Sequence, residues 1–531
     1  MKSSPGLTYY WLMPLGGLLL ALSFPNDIIP GPLGDRPPAW LAWLALLPLM
    51  WGVLTLPAKA ARRGAWLYAA AFYLGTLSWM RLFGVVPWVL LAGYLSLTPW
   101  LALHLAQRMP ERRWLLPLGF ALAWSGLEWL RGQGLFGFHW SEVGASQVDG
   151  FSAHLAAIGG VPLLSFLLLW VTGTVMWQMV DRPPSRRVLV IALTVLVICL
   201  CAGEWQTHAT QARWQRQPAT LHLSLVQPNS LRGLTPEDLL VPNTPEEIER
   251  WERKVQARVD ALTTLSYQAA AARHREAQTD HEPHLLIWPE SALPDPPLQH
   301  FEISTLGWRT GSEILVGAPC LDYLPNGNEE CLRNAAYLMS PGGGILARYD
   351  KMHLVPFGEF VPLRSFVSKY YIVRPDDIRP GEKRATIPLG SHRVGVAICF
   401  ESTFPSIARE YARLGAQALV IITNDAWFHQ TCAVRQHLNH ARFRAIETGL
   451  PVARVAGTGI SAFIAPDGRL LDAIPTYTAG TRTRSIPPGV PGTVYSRIGW
   501  LFGPFCLGMS LVLAILGIIL RRRRVSTKAT S

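Results

Sequence analysis

Charge is scarce in this chain. Only 16% of its 531 residues are Asp, Glu, Lys or Arg, against about 25% in an ordinary soluble domain. Half the residues are hydrophobic and 21 are Trp, a residue enriched at membrane–water interfaces. This composition argues against a purely soluble protein and for a membrane protein with a substantial soluble part. Metal-type cysteine spacing is lacking too. The seven cysteines are Cys199, Cys201, Cys320, Cys331, Cys399, Cys432 and Cys506; no C-x-x-C pair occurs, and an odd count leaves at least one thiol unpaired within the chain. Internal repeats, long low-complexity segments and nucleic-acid-binding motifs are absent. The net charge of +12 sits largely in short clusters between apolar segments and in the tail Arg521–Arg524. That placement marks membrane topology rather than a nucleic-acid surface.

What is present falls into two kinds of sequence. Up to about residue 205 the chain reads as successive hydrophobic helices, over about 9–25, 39–57, 65–82, 85–106, 114–130, 155–180 and 188–205. An eighth runs over about 499–520. Crossing ~30 Å of hydrocarbon takes about 20 apolar residues. The first span lacks a strong basic leader and a clear small-x-small cleavage site, so it is expected to remain as a span. Lys59, Arg62 and Arg63 follow the second span, Arg108, Arg112 and Arg113 the fourth, and Arg182, Arg186 and Arg187 the sixth. With Arg521–Arg524 after the eighth, this bias predicts both termini in the cytoplasm and 206–498 on the outer side. The expected division is a membrane domain over 1–205, a catalytic domain over 206–498, and a last helix with a basic tail over 499–531.

Residues 206–498 carry short apolar runs at 221–226, 284–288, 313–318, 334–339, 392–399, 418–423 and 451–456. Helical stretches lie between several of them, notably 245–273 and 432–449. Apolar runs bounded by turn residues and alternating with helices predict a layered α/β domain. Cys320 and Cys331 flank a turn-rich stretch and read equally as a disulfide or as two free thiols. Cys199, Cys201 and Cys506 lie in apolar runs and read as packing residues.

Three predicted strands end in ionisable residues. Leu285-Leu286-Ile287-Trp288-Pro289 leads to Glu290, Arg348-Tyr349-Asp350 to Lys351, and Val396-Ala397-Ile398 to Cys399. Strand ends are where α/β folds commonly assemble their sites. The three side chains make a chemical set. A thiol is a strong nucleophile once deprotonated, a carboxylate can take and return its proton, and an ammonium can neutralise the oxyanion of an attacked carbonyl. Singly, each has a plainer reading, as core filler or as a solvated surface charge.

These segments resemble the nitrilase, or carbon–nitrogen hydrolase, superfamily. The whole chain resembles its membrane-embedded apolipoprotein N-acyltransferase family. The resemblance rests on Trp288 to Pro294, on Arg348 to Lys351 with His353 to Pro362, and on Ile398 to Glu401. It extends to Thr423-Asn424-Asp425-Ala426-Trp427-Phe428, Gln436-His437-Leu438, Arg444 to Gly449, Gly457 to Ser461 and Pro466 to Arg469. In the membrane part it covers Gly137-Phe138-His139-Trp140 and Gly144-Ala145-Ser146-Gln147. It implies a multi-pass α-helical membrane domain of about eight spans plus a nitrilase-like αββα sandwich. It further implies Glu290 as general base, Lys351 as oxyanion stabiliser and Cys399 as acylated nucleophile, with no metal or organic cofactor.

Glu359 and Glu401 match supporting glutamates of the family, and also read as buried carboxylates that orient loops. Asn334 and Trp427 match positions near its pocket, and also read as a turn residue and as core packing. The implied partners are a phospholipid acyl donor, a diacylglyceryl-apolipoprotein acceptor and the bilayer. The implied setting is the bacterial inner membrane, with a monomeric enzyme. The chain departs from the family at Phe400, where a tyrosine is usual, at Pro228 and across 228–250, and at His429-Gln430-Thr431-Cys432. Apolar and aromatic residues in 353–372, including Phe357, Phe360 and Phe366, read as a lipid entrance or as ordinary packing. The rival readings are a membrane-anchored amidase or hydrolase and a non-catalytic membrane binding protein.

Overall fold

Aliphatic and β-branched runs punctuated by glycine, proline and asparagine fold into twelve strands in the computed structural model. It describes residues 7–181, 186–229, 244–276, 283–323, 330–362, 364–367 and 377–529. Arg182, residues 230–243 of the atypical 228–250 segment, residues 368–372 of the expected entrance and the Phe366 side chain lie outside what is described. The described chain divides into two units: Met1–Gln206 with Thr431–Asn439 and Arg497–Ser531, and Thr207–Gln430 with His440–Ser496.

Four helices are long and apolar enough to cross a membrane: Val85–Ala106, Ala153–Val180 and Gly499–Ser526 in the first unit, and Arg186–Gln215, most of which belongs to it. Leu41–Thr55 and Trp11–Ala21 are shorter apolar helices, and Ala58–Thr76 and Leu115–Arg131 are also helical. Ala153–Val180 is central and almost wholly buried, whereas Arg186–Gln215 exposes Val190, Ile191, Val197 and Ile198. A soluble protein rarely shows so continuous an apolar face; a lipid-facing helix does.

Two buried charges inside this unit are tied to neighbouring groups. Glu128 accepts from Trp124 Nε1 at 2.9 Å, from Val143 N at 2.9 Å and from Ser165 Oγ at 2.6 Å. Arg131 donates to Tyr73 Oη at 2.7 Å and to Trp140 O at 3.0 Å. Intramembrane charges persist where they are partnered in this way. The loop 137–148 is thereby fixed on side chains of neighbouring helices. Gln436 uses both ends of its amide within the same unit, donating to Pro25 O at 2.8 Å and Thr76 O at 3.0 Å and accepting from Trp79 Nε1 at 3.2 Å.

The strands belong to the second unit. They are β1 Leu221–Gln227, β2 His284–Ile287, β3 Glu313–Tyr323, β4 Glu330–Met339, β5 Ile345–Asp350, β6 Ile387–Leu389, β7 His392–Ile398, β8 Ala418–Thr423, β9 Val452–Ala456, β10 Ser461–Ile464, β11 Leu470–Ile474 and β12 Gly480–Ile486. They form two six-stranded sheets, ordered β12-β1-β2-β3-β4-β5 and β11-β10-β9-β8-β7-β6. Both share one pairing pattern, a parallel trio (β1-β2-β3 and β7-β8-β9) flanked by antiparallel neighbours. Strands of the trios are buried on both faces, which is why they read as continuous apolar runs rather than alternating ones.

Helices cover the outer faces. Val259, Leu262 and Ala269 of helix Pro245–Glu276 pack with Val226, Leu286, Trp288, Val316 and Ala335 of the first sheet, and Trp288 Nε1 donates to Ser266 Oγ at 3.0 Å. On the second sheet, Tyr411 of helix Pro405–Arg413 lies so close to Gly395 that a Cβ there would stand 2.4 Å from its ring. The result is the αββα sandwich that the resemblance implied. Cys320 and Cys331 lie on β3 and β4, but Cys320 pairs with Arg333 and Cys331 with Asp322. They are diagonal rather than opposite, about 7–8 Å apart between Cα atoms in such an arrangement, beyond the usual span of a disulfide. Both thiols are free.

Candidate active site

The three sequence-predicted strand ends meet. Glu290 follows β2, Lys351 follows β5 and Cys399 follows β7. The Lys351 side chain is 1% exposed, with Nζ 2.8 Å from Glu359 Oε1 and 3.4 Å from Glu290 Oε1. Asn334, on β4, donates Nδ2 to the same two oxygens, at 2.8 Å to Glu290 and 3.1 Å to Glu359. The second Glu290 oxygen accepts the backbone N–H of Asn424 at 2.8 Å. Glu359 Oε2 accepts from Val355 N at 2.8 Å and so braces the loop that carries it. Backbone pairing aligns the parts: Lys351 N donates to Asn334 O at 2.8 Å, continuing the β4–β5 ladder one residue past Asp350.

Glu401 holds a second set of contacts. Fully buried, it accepts from Tyr349 Oη at 2.8 Å, Met352 N at 2.9 Å and His353 N at 3.1 Å through one oxygen. Its other oxygen accepts from Ile398 N at 2.9 Å. One carboxylate thus joins the loop after Lys351 to the turn that presents Cys399. Burial raises the Glu401 carboxyl above its usual range, and these donors oppose the shift. Phe400 packs edge-on against Phe404 at 5.1 Å between ring centroids. Trp427 is placed differently from a core residue, being 39% exposed in the turn after β8. Phe357, one of the expected entrance residues, is also exposed, and Phe360 is half-buried.

Electrostatics assign the resting charges. Burial works against the Lys351 ammonium, but the Glu359 and Glu290 carboxylates and Cys399 outweigh it and hold the lysine above its ordinary range. Burial, then the Glu290 charge, pushes the Cys399 thiol up, while Lys351 pulls it the other way. Cys399 therefore rests as a thiol, beside an ammonium already in place for negative charge. Cys399, Ser291 and Phe357 have φ of 53°, 52° and 64°. A side chain in this left-handed region costs about 1–3 kcal/mol, and here three loops of one site carry it.

Sequence reasoning missed four contributors. The Asn424 backbone donor has no residue signature. Thr423 and Asp425 stood inside a matched motif without a role. Gly317 on β3 was unremarked, although a Cβ there would stand 2.4 Å from Pro289 O and 2.7 Å from Glu290 Cα. The signal for Gly317 was a glycine inside an otherwise apolar strand, which marks close backbone approach. Among the described residues, no group of three His, Cys, Asp or Glu side chains is arranged to hold a metal ion.

Comparison with known proteins bears on both units. Residues 16–174 match the apolipoprotein N-acyltransferase N-terminal domain family, and residues 248–491 match the carbon–nitrogen hydrolase family. The apolipoprotein N-acyltransferase of Geobacter metallireducens is 31% identical, over 97% of this chain and 96% of its own. That of Methylococcus capsulatus is 30% identical over 96% and 95%, and that of Pasteurella multocida 29% over 91% and 92%. Among solved structures, a nitrilase-superfamily amidase from Nesterenkonia AN1 is 19% identical, covers 53% of this chain and 95% of its own, and has a TM-score of 0.34. A carbon–nitrogen hydrolase from Helicobacter pylori is 15% identical over 58% and 96%, with a TM-score of 0.34.

Proposed function

The chain belongs to the apolipoprotein N-acyltransferase family, and on that footing we propose how its residues carry an acyl group from lipid to lipoprotein. Cys399 attacks an ester carbonyl of a membrane phospholipid while Glu290 takes the thiol proton. The new S–C bond leaves an oxyanion, which the Lys351 ammonium neutralises. The C–O bond then breaks, the lysophospholipid oxygen takes the proton back from Glu290, and a thioester remains on Cys399. The neutral α-amino group of a diacylglyceryl-cysteine attacks that thioester. Glu290 accepts the amine proton, the N–C bond forms as the S–C bond breaks, and the proton returns to sulfur. Glu359 and Asn334 hold Lys351 and Glu290 in register, and Glu401 fixes the nucleophile's turn. The exposed Phe357 and Trp427 are offered as surfaces for acyl chains.

The observation that most supports this scheme is the convergence of a carboxylate, an ammonium and a thiol from three separate strand ends on one largely buried hydrogen-bonded cluster. Desolvating each ion of a buried pair costs several kcal/mol, so such a cluster is a poor device for stability alone. The apolar helices support a multi-pass enzyme that keeps both substrates in the bilayer. The basic clusters support cytoplasmic termini, with 206–498 on the outer side. We take the working unit to be a monomer.

Mass spectrometry of the purified protein incubated with phospholipid tests the reading. A fatty-acyl adduct is expected on Cys399, discharged by a diacylglyceryl peptide and absent in Cys399→Ala. An adduct discharged equally fast without the peptide would make the enzyme a hydrolase. Equal labelling of Cys399→Ala would remove Cys399 from the chemistry.

A further inference from the structure

The end of β8 touches both halves of the catalytic set through successive residues. Asn424 gives its backbone N–H to Glu290, as described above. Thr423 faces the other way. The parallel register pairs Ile398 with Ile422, which brings Thr423 close to the turn that begins at Cys399, and the Thr423 hydroxyl acts to lower the Cys399 thiol against its burial.

That hydroxyl is held from behind. Thr423 Oγ1 donates to Asp425 Oδ1 at 2.9 Å. The other oxygen of Asp425 accepts from Arg454 Nη2 at 2.8 Å, with both side chains fully buried. Arg454 also donates through Nη1 to Ile460 O. Gly459 makes room for the carboxylate, since a Cβ there would stand 2.2 Å from Asp425 Oδ2. A buried pair of this kind is weak evidence for stability, because desolvating each ion costs several kcal/mol. Its visible product is one oriented hydroxyl beside the nucleophile.

A hydroxyl has one hydrogen and two lone pairs, and it rotates to suit its partners. With its hydrogen on Asp425, Thr423 presents a lone pair to Cys399. We propose that Thr423 is a reorienting hydroxyl, accepting from the S–H of resting Cys399 and turning from Asp425 to donate to the thiolate once that proton has gone to Glu290. The Thr423 hydrogen stays on its oxygen throughout, and no bond to carbon forms there. Asp425 and Arg454 act as positioning residues. The inference rests on Cys399 being the nucleophile.

The test measures the pH profile of Cys399 alkylation by iodoacetamide in the full-length protein, localised by peptide mass spectrometry, together with the rate of thioester formation from phospholipid. Thr423→Val, which cannot donate to the thiolate, is expected to move the profile up by about one pH unit and to slow acylation about 10–100-fold. Thr423→Ser restores both to within about threefold, which separates a hydroxyl effect from a folding defect. Asp425→Asn removes a negative charge that keeps the thiol protonated, and moves the profile the opposite way, to lower pH. Wild-type behaviour of Thr423→Val, or a shift of both variants in the same direction, overturns the proposal. Wild-type protein that is never acylated at Cys399 would instead overturn the nucleophile assignment beneath it.

Discussion

Glu290 illustrates how a side chain acquires a task from its partners. Its two oxygens accept from Asn334, Lys351 and Asn424, and its negative charge is the first of the charges that raise the Cys399 thiol. The two effects of removing it can be separated. In Glu290→Gln the charge is gone, so Cys399 alkylation is expected to move to lower pH, because the thiolate is no longer opposed. Acyl transfer is expected to fall about 10²–10⁴-fold, because the proposed base is gone. Alkylation profiles and acyl-adduct kinetics on the same sample check both, and near-normal transfer would require a different base. At this scale much of the site was legible. Glu290 and Cys399 announced themselves by ending apolar runs, Lys351, Glu359 and Glu401 through their motifs, and Asn334 by matching a family position. Asn424 contributes a backbone N–H, which every residue but proline possesses, so its side chain carried no hint.

Among the elements, most strands buried on both faces were readable, the four-residue β10 excepted, and those at the margins were not. β1, β2, β7, β8 and β9 coincide with predicted apolar runs. β12 reads Gly-Thr-Arg-Thr-Arg-Ser-Ile and is half-exposed along most of its length, so no hydrophobic pattern marks it. β11 has the same character. β5 opens with the exposed Ile345 and Leu346, and β6 has three residues, too few for any periodicity. The helix expected over 245–273 runs over Pro245–Glu276, and that over 432–449 runs over Ala433–Thr448. Spacing between elements also matters to the chemistry. β3 lies against the Glu290 turn only because residue 317 lacks a Cβ. Gly317→Ala is therefore expected to displace Glu290 and lower acyl transfer about 100-fold, the scale of a 1 Å misplacement. The same variant should still be alkylated at Cys399, since β7 is untouched. Full activity would show that the β2 end tolerates the shift.

For the whole molecule, composition disclosed a membrane part joined to a layered α/β domain, and the order of apolar and mixed segments disclosed their sequence. Individual spans were harder to read. Of the eight expected, four meet the length and hydropathy of a crossing helix among the described residues, and two more are shorter apolar helices. Pro14 and Pro48 sit inside those two shorter helices, and Lys59, Arg62 and Arg63 dilute the start of Ala58–Thr76. The proposed topology is checked with single cysteines placed in a background freed of the reactive ones. A membrane-impermeant maleimide should reach Trp308→Cys, an exposed site, from outside the intact cell, and should reach Arg523→Cys only after lysis. The reverse pattern would invert the topology.

The place of β12 beside β1 carries a last consequence, for the order of assembly. Leu221 pairs with Ile486 and Gln227 with Gly480, so roughly 250 residues separate the two strands along the chain. Ribosomes add about 5–20 residues per second, so β1 waits tens of seconds for its antiparallel neighbour. Its parallel partner β2 must itself return from a long crossover. During that interval an apolar strand has an unpaired edge, the kind of surface that templates aggregation. Truncation before residue 480 should therefore yield chains that clump rather than a smaller working enzyme.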